Sequence, residues 1–253
     1  MAKCWIYNEL ADIPDEFIVV EKNMSNELTI AFVNYNTPKY IMPFIGSLHK
    51  MNPWFTGEVH IYDNGNKDLE EGIYDDFIYH YINETLYEEF KNMKEPNDPG
   101  CRHFCSAKHC KTLQYIIDNT KTKYLLICDS DLVFTKSFEY LYKMFVEQNN
   151  VACGYIKKPP KCADRLSPWF TILNLEQIKN NKIKYYDVNR MFLIKNNKTH
   201  DTGASFLEDC IKNNLSILEL PNDNMFYIHY KGGSYNNRLD VIKWLIRNKN
   251  FWK

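Results

Sequence analysis

The chain has 253 residues and a formal net charge of −1, with 45% hydrophobic and 25% charged residues. That is the make-up of a soluble globular domain with a sizeable core, and it carries no electrostatic footprint for nucleic acid. No apolar stretch reaches the roughly 20 residues of a membrane span, and the opening "MAKCWIYNELADIPDEF" acquires acids too early for a secretory signal. Eight cysteines at irregular spacing fit a reducing, cytoplasmic setting better than a disulfide framework. The cluster "CRHFCSAKHC" (Cys101, His103, Cys105, His109, Cys110) does not show the usual C-x2-C or H-x3-H pairs of structural zinc. It reads instead as thiols on a loop entering a helix.

Residues 1–27 are expected to extend the domain and pack on it, as an edge strand in "EFIVVEK" for example. "LTIAFVNY" then reads as a strand covered on both faces. Pro38 suits the first position of a helix carrying Ile41, Phe44, Ile45 and Leu48. "EVHIYDN" predicts a second strand ending in turn residues, and "FIYHYI" a third. The spacing predicts a helix over about 105–119, a strand over 124–128 and a helix over about 137–147. "VACGYI" is another strand and "KKPPKCADRLSP" a loop, too rich in proline to be regular. A helix from about Asp201, strands in "SILEL" and "FYIHY", and a terminal amphipathic helix over 235–253 complete the pattern. Strands alternating with helices imply an α/β fold with a mainly parallel sheet, whose ligands sit at the carboxyl ends of the strands. The polar residues Asn34 to Asn36, Asp63 to Asn64 and Asp129 to Asp131 fall there.

"YLLICDSDLVF" places two aspartates at the end of an apolar strand. Strand periodicity points Asp129 and Asp131 to one side and Ser130 away. Paired carboxylates repel unless a cation bridges them, and hard oxygen donors suit Mg²⁺ or Mn²⁺ with positions left for phosphate oxygens.

"TIAFVNYNTPKYIMPFIGSL" with "VHIYDNGNKD", "KYLLICDSDLVF", "HDTGASFLEDC" and "FYIHYKGGS", in that order, resemble the blocks of family 2-type glycosyltransferases over residues 28–234. The resemblance implies a GT-A fold, a Rossmann-like nucleotide-binding sheet in a single domain. It further implies inverting transfer of a sugar from a nucleotide diphosphate, UDP- or GDP-linked, to a glycan or lipid-linked acceptor. By the same likeness Asn34, Tyr35 and Asn36 lie against the base, with Tyr35 offering a stacking face. Asp63 and Asn64 meet the nucleotide, with Lys108 at a helix start near the diphosphate. Asp129 contacts the ribose or, through water, the metal, and Ser130 belongs to the nucleotide site; Asp131 is the direct metal ligand, with Asp129 and His229 completing the metal set. Asp201 matches the general base, but the expected acidic neighbour before it is His200, which keeps Glu208 and Asp209 as alternatives. Trp169, Lys231 and Ser234 complete the expected acceptor and phosphate contacts. Two other readings compete. A sugar-nucleotide pyrophosphorylase would open with a glycine-rich loop, and "VNYNTPKY" has no glycine; a non-catalytic glycan-binding module would be expected to lack the carboxylates. The basic, aromatic tail "VIKWLIRNKNFWK" would suit peripheral contact with a membrane.

Overall fold

The computed structural model describes residues 25–90 and 104–230, apart from 66, 186, 188, 189, 191–193, 196, 197 and 224. The elements expected before residue 25, the tail over 235–253, and Cys101, His103, Lys231 and Ser234 lie outside the described residues.

In chain order the elements are β1 (Leu28–Asn34), α1 (Pro38–Met51), β2 (Val59–Asp63), β3 (Gly72–Ile73), β4 (Ile78–Tyr81), a 3₁₀ segment (Glu84–Phe90) and α2 (Phe104–Asn119). They continue with β5 (Tyr124–Asp129), β6 (Leu132–Phe134), α3 (Glu139–Glu147), β7 (Ala152–Lys157), β8 (Arg165–Asn174) and α4 (Leu175–Asn180). The last are β9 (Ile194–Lys195), β10 (Lys198–Thr199), α5 (Ala204–Lys212), β11 (Ile217–Glu219) and β12 (Tyr227–His229).

β1, β2, β4 and β5 form a parallel core, with β5-β1-β2-β4 as neighbours inside an eight-stranded sheet of order β11-β7-β8-β5-β1-β2-β4-β3. Every residue of β1 is buried, as expected of a strand with helices on both faces. Alternation splits its side chains. Ile30 and Phe32 join Phe44, Leu48, Phe134 and Phe145 on the α1/α3 side, whereas Ala31 and Val33 join Leu113, Ile116 and Phe206 on the α2/α5 side. The fold is thus the mixed, mainly parallel α/β arrangement that the sequence led us to expect.

The short elements β3, β6, α4, β9 and β10 and the 3₁₀ segment were not expected from the sequence, and two further differences bear on the site. The proline-rich segment expected to stay irregular ends earlier, at Asp164, and the ten-residue β8 begins at Arg165. β8 runs antiparallel between β5 and β7, and the β7 register shifts between Gly154 and Ile156, opposite the stretch holding Pro168. A bulge is where a strand tolerates a residue with no N–H to donate. The helix expected from Asp201 starts only at Ala204, because Gly203 precedes it in a left-handed conformation (φ +83°). A Cβ there would stand 2.2 Å from the Leu166 carbonyl oxygen, so the close approach of α5 to β8 depends on glycine.

Candidate metal centre

Parallel pairing brings the carboxyl ends of β1, β2 and β5 together: Asn34 is opposite Asp63, and Val33 opposite Asp129. β5 stops at Asp129, and Ser130 and Asp131 form a turn into β6, so the two aspartates converge through a tight turn rather than by strand alternation. β12 pairs antiparallel with β6, setting His229 opposite Leu132. That pairing delivers the imidazole to the carboxylates: His229 Nε2 lies 3.1 Å from Asp131 Oδ1 and 3.4 Å from Asp129 Oδ2. One ligand atom from each of the three residues falls within 4.8 Å of the others.

The electrostatics of the triad follow from burial and charge. Burial alone would lower the pKa of His229, but hydrogen bonds to Asp129 and Asp131 outweigh it and raise it to about 9. Burial opposes ionisation of Asp129, yet its hydrogen bond to His229 and the nearby His109, His229 and Arg165 charges hold its carboxyl below the usual range. A protonated imidazole here occupies the place of a cation between two carboxylates. Asp129 Oδ1 and His109 Nε2 are buried, 3.9 Å apart, and neither has a hydrogen-bond partner within the protein. Two carboxylates, one imidazole and an unsatisfied buried carboxylate oxygen form a donor set that fits Mg²⁺ or Mn²⁺.

The other expected residues divide into scaffold and surface. Asn34 is fully buried; its amide donates to Asp63 Oδ2 (3.2 Å) and Asp68 Oδ2 (2.8 Å), and its oxygen accepts from the Thr37 N–H (3.2 Å) and hydroxyl (2.7 Å). Since the Thr37 hydroxyl donates to Asn34, Ser130 must be the donor in the 2.8 Å Thr37–Ser130 contact. Ser130, expected at the nucleotide, therefore ties the Ser130–Asp131 turn to the β1–α1 turn. Asp63, expected to accept from the nucleotide, has no exposed surface. It already accepts from Gly65 N–H (2.6 Å), Asp68 N–H (2.9 Å), Asn34 and the Tyr79 hydroxyl, so its acceptor capacity is used within the protein. Asn64 donates to Thr112 (3.2 Å). Lys108 pairs with Glu84 at 2.9 Å and lies over the Tyr87 ring rather than standing open to a diphosphate. Tyr35 is half-buried and Asn36 exposed, at the mouth of the strand ends.

Beside the triad, Trp169 packs its ring 5.1 Å from that of His229 and donates to Asp223, which makes it a wall for the histidine. Asp201 accepts from its neighbour's N–H (Thr202, 2.8 Å) and is ion-paired with Arg165. Arg190 clamps both alternatives, reaching Glu208 at 2.6 Å and both oxygens of Asp209 at 2.8 Å. Arg165 was not singled out in the sequence, where a lone arginine after a proline-rich stretch carries no signal. Its partner lies 36 residues away.

No family model matches the chain, and no curated protein does. Solved structures similar to it include S. aureus TarS 1–349, with 16% identity, a TM-score of 0.47, and coverage of 79% of this chain and 59% of that one. Galactosyltransferase LgtC, in complex with donor and acceptor sugar analogues, gives 14% identity, a TM-score of 0.42, and 65% and 62% coverage. The mannosyltransferase PcManGT from Pyrobaculum calidifontis, in complex with GDP-Man and Mn²⁺, gives 13%, 0.45, and 78% and 55%. This chain thus spans less than two thirds of each of the three. Likeness at these values assigns no residue a role, and the roles below rest on the geometry of this chain.

Proposed function

We propose that the chain is a metal-dependent glycosyltransferase that moves a sugar from a UDP- or GDP-linked donor to a hydroxyl of a glycan or lipid-linked acceptor, with inversion. The observation that carries this reading is the Asp129–Asp131–His229 triad at the carboxyl ends of the parallel strands, where α/β sheets take nucleotides. A divalent cation held by the triad would supply Lewis-acid neutralisation of charge on the departing nucleoside diphosphate.

The remaining tasks belong to protein groups. Tyr35 and Asn36 meet the base at the mouth of β1, on a turn that Asn34, Asp63 and Thr37 hold rigid. A Cβ on Gly65 would stand 2.5 Å from Asn36 Oδ1, so the β2 turn packs directly beneath that mouth. Trp169 keeps the His229 ring in place. Asp201 takes the proton from the attacking acceptor hydroxyl, ahead of Glu208 and Asp209, which Arg190 occupies on α5. A transferase of this kind would work in the cytoplasm, at the inner face of a membrane when the acceptor is lipid-linked.

The test is calorimetric titration of UDP and GDP with and without Mn²⁺, followed by turnover with the sugar donor that binds. Asp131→Ala should abolish the metal-dependent part of binding. Asp201→Asn should remove transfer while leaving donor affinity within about threefold, because the amide oxygen still accepts from Arg165. Full transfer by Asp201→Asn would move the base to Glu208 or Asp209.

A further inference from the structure

The segment "KNNKIK", residues 179–184, carries three lysines that the triad does not use. α4 ends at Asn180, and Lys182, in a left-handed conformation (φ +53°), turns the chain back. The Lys182 N–H donates to the Lys179 carbonyl (3.1 Å) and the Ile183 N–H to the Ile178 carbonyl (3.0 Å). Beyond the turn the chain alternates: Ile183 and Tyr185 are buried, whereas Lys182 and Lys184 are exposed. The Tyr185 N–H donates to Gln114 Oε1 at 2.7 Å, which pins this extended segment against α2. On α2, Lys111, Gln114 and Asp118 stand at i, i+3 and i+7 and share one stripe.

Between α2 and this segment lies a groove of about 590 Å³. Its lining spans Lys111 to Thr120 along the helix, a length of about 14 Å. Four lysines line it, Lys111, Lys179, Lys182 and Lys184, against two aspartates, Asp118 and Asp187. In a chain whose net charge is −1, this is a local excess of positive charge. The core side chains Ile117, Ile178 and Ile183, with the half-buried Leu175, form its floor. The uncharged polar groups of the lining are engaged within the protein. Gln114 meets the Tyr185 N–H and Asp118, and the Thr120 hydroxyl donates to the Ile116 carbonyl (2.7 Å). What the groove offers a ligand is therefore the exposed ammonium groups of Lys179, Lys182 and Lys184 above an apolar floor.

An ammonium group is a point charge on a flexible stem and lacks the planar fork that fixes a ligand's orientation. A nucleoside or a sugar needs directional partners, whereas a phosphate beside methylenes needs only charge over apolar surface. The groove is also separate from the triad. The Leu175 N–H donates to the Lys123 carbonyl, at the amino end of β5. Asp129 lies at the carboxyl end, five residues on from Tyr124, a distance of about 17 Å. We infer that this groove docks the phosphate headgroup of an anionic phospholipid at a membrane surface, with the lysines around the phosphate and the isoleucine floor against the lipid's first methylenes. Docking of this kind needs neither metal nor nucleotide, so it stands or falls apart from the glycosyl-transfer reading.

Sedimentation of the full chain with phosphatidylcholine vesicles, with and without phosphatidylglycerol, tests the inference. The parent should bind only the anionic vesicles. Each lysine near an anionic surface is worth about fivefold in partitioning, so Lys179→Gln/Lys184→Gln should bind about 25-fold more weakly. Both lysines are exposed, so the variant should melt as the parent does and bind nucleotides with Mn²⁺ as the parent does. Lys50→Gln/Lys136→Gln removes the same charge outside the groove, at the end of α1 and after β6, and should stay within about threefold of the parent. Equal weakening of both pairs would reduce the effect to net charge and overturn the inference. So would a groove variant that binds as tightly as the parent, which would move the contact to another surface, or a parent that binds no anionic vesicle. Soluble glycerol phosphate at the concentration of the lipid phosphate should leave the vesicles bound; displacement would make the groove a free-phosphate site and overturn the lipid assignment. Loss of nucleotide binding in the parent with vesicle binding intact would count against the glycosyl-transfer reading alone.

Discussion

His229 shows how one residue links charge, metal and pH. Its imidazole lies between the Asp129 and Asp131 carboxylates, whose hydrogen bonds hold its pKa at about 9 despite burial. A folded-state value above the ordinary 6.5 means that the protonated ring stabilises the metal-free fold below pH 6.5. That contribution fades as pH rises through 9. A metal ion must displace this proton. Apparent Mn²⁺ affinity should therefore climb between pH 6.5 and 8.5, by about tenfold per pH unit if one proton leaves per ion, and calorimetry in buffers of different ionisation heat would count that proton. In His229→Gln the slope should vanish. The sequence singled out the three side chains that the fold brings together here, because a D-x-D after an apolar run and a late histidine are local patterns. It offered no sign that Asp63 and Ser130 would be consumed by internal hydrogen bonds, since those partners are set by tertiary contact. Arg165 was illegible for the same reason.

At the scale of elements, the site depends on three turns being fixed together. The Thr37 hydroxyl bonds both Asn34 and Ser130 and so joins the β1–α1 turn to the metal turn inside the core. Thr37→Val leaves those buried groups short of a partner, at a cost of about 1–3 kcal/mol. It should also weaken Mn²⁺ binding measurably, because Asp131 follows Ser130 directly. A loss of stability with unchanged metal affinity would show that the turn is held by other contacts. Gly203 plays the matching part where α5 meets β8. Gly203→Ala would impose a left-handed Ala and drive a methyl into the Leu166 carbonyl, costing at least about 2 kcal/mol and lowering Tm by roughly 4–8 °C. Apolar strands such as β1 and β5 were plain in the sequence, as was α1 with its proline start. β8 was hidden because Arg165, Ser167 and Pro168 break the apolar pattern at the bulge. The start of α5 shifted because glycine backbone conformation has no signature in side-chain periodicity.

Across the whole molecule, the parallel strands end side by side, with β8 antiparallel beside β5 and β12 antiparallel to β6. Among the described residues the triad is the cluster of three or more metal-ligating groups, and no helix is long and apolar enough to cross a membrane. The general architecture was legible from the alternation of strands and helices. The pairing of β12 with β6, which completes the triad, was not, because β6 has three residues and its partner strand lies far along the chain. The account stands on a divalent cation and a nucleotide diphosphate meeting at that triad. Thermal unfolding of the full chain with UDP or GDP, with and without Mn²⁺, tests this most directly. At a ligand concentration of 100 Kd, linkage gives about 2.7 kcal/mol of added stability, so one nucleotide should raise Tm by several degrees only when Mn²⁺ is present, and Asp131→Ala should lose that rise. A Tm unmoved by either nucleotide with the metal, or a rise that survives in Asp131→Ala, would contradict it.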